Sequence, residues 1–455
     1  SEKRDALIQL EIPLEEHDEI FNLYRLRPYH LRSSHLLGFS LNDFTDESRR
    51  RWNNYLSYLR EVAASKDFDP SEQIESIEDS TGKIYPFFRQ SYLIERPTYG
   101  LVVGDVQSGK TANFCGLIAK AADLGIPLII VFSGTTNTLR NQTQKRIDEA
   151  FGRFQEGGRD WIFLTKQDEE VISRGDLKLK SGDVTRKIHQ IDLQLNEGAP
   201  CVLVVKKRQH ALEHLTGWIT RHAPVLCSRQ ILFIDDESDS ASVNCIRRDE
   251  EDAQDDVTDI DEREATRINE LIRTCIAVSP HSIYIGYTAT PYAALLTDPW
   301  DYSEDLGESL YPRDFILTLP QSSDHNGTTE FFSDFGYLRD QVQVIDRGDV
   351  ELANLLQPHM LPPSLVVSII DFIITGAIKL RNGDPFHHSM LVHCKIRKPN
   401  HERLEELIRE FGQIFKRNYR HQAFGKRHEW YLTTKNRWEN EFGISTEKEL
   451  EMDAT

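Results

Sequence analysis

The sequence predicts an α/β fold: a parallel sheet with helices on its faces, a helical segment before it, and the start of a second α/β lobe after it. Three observations carry this reading. Short apolar runs alternate with helical patterns between residues 99 and 300. Those runs are continuous rather than alternating, as strands buried on both faces are. The chain's 455 residues are enough for two or three domains with a substantial core.

Taken in order, residues 1–98 read as a helical accessory domain. Trp52, Tyr55, Leu59 and Val62 follow helical spacing after Asp46, a candidate N-cap. Residues 99–300 form the first sheet domain. Its strands are placed at Leu101–Val103, Leu128–Phe132, Trp161–Leu164, Val202–Val205, Ile231–Ile234 and Ser282–Gly286. Within it, residues 249–264 hold ten acids and one arginine, the composition of a mobile solvated loop. Residues 301–363 read as an irregular connector, with Tyr311–Phe315 inside it. Residues 364–455 open a second lobe: a buried helix over Leu365–Leu380, a strand over Ser389–His393, and a helix over Glu402–Phe415.

The bulk composition narrows the function. A net charge of −19 and a pI near 5.3 argue against a protein that coats nucleic acid by charge alone. The six cysteines, at 115, 201, 227, 245, 275 and 394, lack zinc spacing and read as reduced thiols of a cytoplasmic protein. No signal peptide is visible, and the apolar run Leu365–Ile378 carries Asp371 and is shorter than a bilayer span, so no membrane is expected. The first residue, Ser1, is not a methionine, as expected of a fragment.

The chemistry begins at Gly104-Asp105-Val106-Gln107-Ser108-Gly109-Lys110-Thr111, which fits G-x-x-x-x-G-K-[ST] between a strand and a helix. The alternative, an ordinary glycine turn, does not need that context. At a helix N-terminus the free N–H groups and the helix dipole favour an anion. Gly104, Gln107, Ser108 and Gly109 would wrap phosphates, Lys110 would reach the β/γ-phosphates of ATP, and the Thr111 hydroxyl would ligate Mg²⁺. The strand Ile231–Ile234 ends in Asp235-Asp236-Glu237-Ser238-Asp239. Read as D-E-x-D, Asp236 holds Mg²⁺, Glu237 activates water and Asp239 couples to neighbouring motifs; Asp235 is the alternative Mg²⁺ residue.

Thr288-Ala289-Thr290-Pro291 at a strand end resembles the coupling motif of superfamily-two helicases, with Thr288 and Thr290 as the coupling hydroxyls. Thr136, Asn137, Arg140 and Gln142 open a helix after a strand and are candidates for a nucleic-acid backbone; helix capping explains any one of them equally well.

The blocks Gly100–Asn113, Leu139–Arg146, Val204–Lys207, Ile234–Glu237, Gly286–Pro291, Leu310–Phe315 and Ser389–His393 together resemble the Z-one domain family, related to superfamily-two helicases. The resemblance implies RecA-like lobes around the phosphate loop. It also implies a DNA-acting, ATP- and Mg²⁺-dependent motor of a bacterial anti-phage or restriction-like system, partnered by MutL- or Hsp90-type ATPases or nucleases. One departure stands out. The glycine- and arginine-rich motifs of a second lobe are not found by residue 455, so the second lobe is expected to be incomplete and the piece weakly active alone. The alternative reading is a nucleotide-gated switch or assembly subunit that recruits effectors without translocating. A metal-dependent endonuclease is a third reading, without a matching motif.

Overall fold

The computed structural model describes residues 49–66, 69–93, 95–105, 108–152, 160–173, 176–190, 199–240, 242, 262–299, 301–303, 306–321, 326–345, 361–383, 387–393, 398–420 and 429–442. The chain divides into two compact units, residues 1–248 with 260–333, and residues 249–259 with 334–455.

In the first unit, helices α1 (Arg50–Ala64) and α2 (Ser71–Leu93) precede β1 (Thr98–Val103) and α3 (Lys110–Asp123). There follow β2 (Leu128–Ser133), α4 (Asn137–Phe151), β3 (Ile162–Phe163), and the antiparallel hairpin β4 (Glu169–Ser173) and β5 (Asp176–Lys180). Then come β6 (Cys201–Lys206), α5 (Gln209–Arg221), β7 (Ile231–Asp236), α6 (Glu262–Ala277) and β8 (Ser282–Thr288). The small hairpin β9 (Tyr302–Ser303) and β10 (Gly307–Glu308) leads to β11 (Phe315–Thr318). Seven strands form one sheet in the order β11-β1-β8-β7-β2-β6-β3, every neighbouring pair parallel.

All six expected strands are present in this sheet, most of them a residue or two longer than their apolar runs. Their side chains are buried on both faces, as in β2, where Leu128 to Phe132 are each at 0% exposure. The core under one face continues into α1 and α2: Trp52, Tyr55, Ile77, Ile84 and Phe88 join Phe114, Leu117 and Ile118 of α3. These helices therefore share the sheet's own core. The candidate N-cap Asp46 lies outside the described residues; α1 begins after Arg49 with no side-chain cap.

Two sequence expectations are corrected here. Residues 315–318, assigned to a connector, form the edge strand beside β1. Asp314 fixes it: its carboxylate accepts from the Tyr99 amide at 2.8 Å and from both Arg96 Nη1 and Nη2, and Phe315 packs on Phe87 with ring centroids 4.6 Å apart. Residues 262–264, at the end of the expected acidic loop, are helical within α6; residues 249–261 lie outside the described residues.

The second unit is helical among the described residues. It contains α7 (Pro363–Arg381), α8 (Lys398–Arg420) and α9 (Glu429–Arg437), followed by a π-helical turn at Trp438–Phe442. Ile369, Ile370 and Ile374 of α7 meet Phe411 and Phe415 of α8 in a small core. Ser389–His393, expected as a strand, is irregular, and Leu391 is 93% exposed. A strand needs a neighbour to satisfy its backbone, and the described residues of this unit offer none. The second α/β lobe is thus not seen among them.

Nor is α7 the buried helix expected. By length and composition it could cross a bilayer, yet only three of its residues are fully buried. Asp371, midway along it, is gripped by Arg437 through Nε at 2.8 Å and Nη2 at 2.6 Å.

Candidate functional site

The C-terminal ends of β1, β2, β7 and β8 meet at one edge of the sheet, the edge where open α/β sheets present ligands. The loop Gly104–Thr111 leaves β1 there, and its first amide, Gly104 N, donates to Thr288 O at the end of β8 (3.0 Å). Gly109 turns the chain into α3 at φ +79°, a left-handed conformation that glycine alone adopts without strain. Gln107 and Val106 lie outside the described residues. Lys110 Nζ lies back over the loop, donating to Gly104 O (2.7 Å) and Asp105 O (2.9 Å). Burial lowers its pKa, while Asp236, Asp105, Asp239 and Glu237 oppose that shift. Lys110 thus stands in the field of four carboxylates.

The residues fit a phosphate group on two observations. The buried Ser108 Oγ has no hydrogen-bond partner among the described residues, which is costly unless something occupies it. A Cβ on Gly104 would sit 2.3 Å from that oxygen, so the loop closes as tightly as it does only around glycine.

At the end of β7 the acids separate by environment. Asp235 is fully buried; Lys207 Nζ donates to its Oδ1 (2.8 Å) and the Tyr284 hydroxyl to its Oδ2 (2.7 Å). Both oxygens are committed, which removes Asp235 as the alternative Mg²⁺ residue and makes it an anchor. Asp236, one residue on, points the other way off the pleat. Burial first, then the Glu237 charge, pushes its carboxyl up to about 6. Glu237 is exposed, adopts φ +56°, and brings its carboxylate over Gly134 at the end of β2. A bulky residue held at positive φ is uncommon and marks local strain.

Asp239 binds the two threonines predicted to couple to it. Thr288 Oγ1 donates to its Oδ1 (2.6 Å), Thr290 Oγ1 donates to its Oδ2 (2.7 Å), and the Thr290 amide donates to Thr288 Oγ1 (2.9 Å). Two strands are thereby tied at the site by a closed polar network.

The nucleic-acid candidates divide. Thr136 caps α4 by accepting from the Leu139 amide, and Asn137 accepts from Lys206 Nζ at 2.5 Å; both are exposed, as is Gln142. Arg140 is corrected: it is 1% exposed, paired with buried Asp168 at 3.2 Å, and donates to Lys166 O at 2.5 Å. A guanidinium so enclosed has no face for a strand.

Two residues went unassigned at the sequence level. Lys207 is at 0% exposure and, besides Asp235, donates to Asp236 O (2.9 Å), Glu237 O (2.5 Å) and Ser242 Oγ (3.2 Å). Its only signal was a lysine pair closing an apolar strand. Arg146 of α4 donates from Nη1 to Thr111 Oγ1 at 2.7 Å.

Residues 364–455 match the family model of the Z1 domain. The Z1-matched segment contains nearly all of α7, with α8, α9 and Ser389–His393; the loop Gly104–Thr111 and the acids after β7 lie before it in the chain. No curated protein sequence matches the chain. A solved complex of HORMA, CdnC and Trip13 from E. coli MS115-1 is similar at 13% identity over 81% of this chain and 87% of that one; its TM-score of 0.22 carries no argument.

Proposed function

We propose that the chain is an ATP-binding, Mg²⁺-dependent P-loop ATPase of superfamily-two helicase type, with RecA-like geometry around β1 and β7. The observation that supports it best is the meeting, on one sheet edge, of Lys110 with the carboxylates of Asp236, Glu237 and Asp239. Lys110 exchanges its two loop carbonyls for phosphate oxygens. Ser108 Oγ and the first amides of α3 hold the same group. Thr111 and Asp236 would hold Mg²⁺, which would supply charge neutralisation to the triphosphate. Glu237, exposed and fixed by its backbone, orients and deprotonates the attacking water. The Asp239–Thr288–Thr290 network carries the change at the phosphates to β8. DNA as the polymer, and a place in a bacterial defence or restriction-like system beside MutL- or Hsp90-type ATPases or nucleases, rest on the family resemblance and the Z1 match.

The test is ATP turnover, with and without single- and double-stranded DNA. Lys110→Ala is expected to lower it at least 100-fold with the fold intact; unchanged turnover sinks the assignment. One observation favours a second reading, a nucleotide-gated assembly subunit. The described residues of 334–455 supply helices and no second sheet to move against the first. ATP-dependent strand displacement would exclude it.

A further inference from the structure

Arg146 has no role in the reading above, yet its guanidinium reaches the phosphate-loop threonine. It projects from the middle of α4, Nη1 lies 2.7 Å from Thr111 Oγ1, and no carboxylate pairs with it among the described residues. The neighbouring cations are already engaged. Lys207 is committed to Asp235, and Arg140 to Asp168. Among the described residues, the cations left facing the loop are Lys110, in the field of Asp105, Asp236, Glu237 and Asp239, and Arg146. Four carboxylates against one ammonium repel a triphosphate. A Mg²⁺–triphosphate complex would still be anionic, so a second protein cation at the loop would favour it.

Geometry limits which one. The Thr111 hydroxyl oxygen has a second lone pair beside the one that accepts from Arg146, so a metal ion held by Thr111 would have the guanidinium next to it. A guanidinium held there would lie beside the phosphates that Lys110 and Thr111 are proposed to bind. A guanidinium is suited to phosphate oxygens, which it can bind in a forked arrangement.

We propose that Arg146 is a phosphate-binding residue of this site, a cation supplied from within the first unit that contacts the triphosphate and stabilises the charge that develops in transfer. This rests on the nucleotide reading. It gives the sheet domain an arginine of its own, independent of any second lobe.

The experiment measures Mg-ATP and Mg-ADP affinity by titration, and single-turnover hydrolysis, for the full chain and for Arg146→Ala, Arg146→Lys and Arg146→Glu. Thermal unfolding of each variant is recorded alongside. Arg146 is exposed, so the melting temperature is expected to stay within a few degrees. Arg146→Ala is expected to weaken ATP at least 5-fold and slow hydrolysis at least 10-fold, Lys to recover part of both, and Glu to be worse than Ala. Wild-type affinity and rate in Arg146→Ala would overturn the role of Arg146 and leave the nucleotide reading standing. A wild-type chain that binds neither nucleotide would overturn both.

Discussion

The adjacent acids of β7 show how one residue of register divides structural from chemical work. Asp235 points into the sheet and meets Lys207 and Tyr284; Asp236 points out toward Lys110. The sequence put Asp236 first for Mg²⁺ and kept Asp235 as the alternative, because a run of apolar residues ending in two acids does not state which acid the pleat turns inward. Lys207 is what decides it, four contacts from one ammonium. Removing it leaves the Asp235 carboxyl group at 0% exposure without its cation, held by the Tyr284 hydroxyl. Lys207→Met is expected to cost about 3–5 kcal/mol, measured by denaturant unfolding. Adding Asp235→Asn should return a sizeable part of that loss; a single variant as stable as wild type would refute the anchoring role.

At the scale of elements, the α/β alternation was legible because parallel strands covered on both faces need uninterrupted apolar runs. β11 was not, because what fixes it is distant in sequence: Arg96 grips Asp314 across 218 residues, and Phe87 packs on Phe315 from a comparable separation. Ser389–His393 failed for the opposite reason: an apolar run is a strand only where a neighbour exists. Helix α3 carries a further titratable surprise. Lys120 lies buried in it, its ammonium 4.2 Å from the centre of the Trp52 ring and 2.7 Å from Thr81 Oγ1. Burial lowers its pKa to about 8. Below about pH 8 both folded and unfolded chains carry the proton, and burial of that charge is a constant cost. Between about 8 and 10.5 the folded chain releases a proton that the unfolded chain keeps, so this residue's contribution to stability rises with pH. The unfolding free energy of wild type, relative to Lys120→Met, should therefore climb by up to about 3 kcal/mol from pH 7.5 to 10.5. A flat difference would show that Lys120 titrates normally.

For the whole molecule, the boundary between the two units at residues 333 and 334 makes a direct prediction. A chain ending at residue 333 keeps β11, the Asp314 anchor and the shared core, and is expected to unfold in a single cooperative transition. A chain ending at residue 300 leaves β1 with an open edge and Phe87 without Phe315, and should be markedly less stable or insoluble. Equal melting temperatures for the two would show that β11 contributes little. Within the second unit, α7 is held through Ile369, Ile370 and Ile374 on Phe411 and Phe415 of α8 and through the Asp371–Arg437 pair.

The position of β1 also has a consequence in time. Its two partners are β8 and β11, and the Tyr99–Asp314 contact joins residues 215 apart. On a ribosome that adds residues in order, the strand feeding the phosphate loop emerges early and waits without neighbours while β2, β6 and β7 are made. It gains one partner when residues 282–288 emerge and the other only after residue 318. Such distant pairings form slowly. A nascent chain thus acquires the Gly104–Thr288 tie, and with it an ordered loop, only once nearly the whole first unit has been synthesised. On the proposed nucleotide reading, half-made chains would be unable to hold ATP.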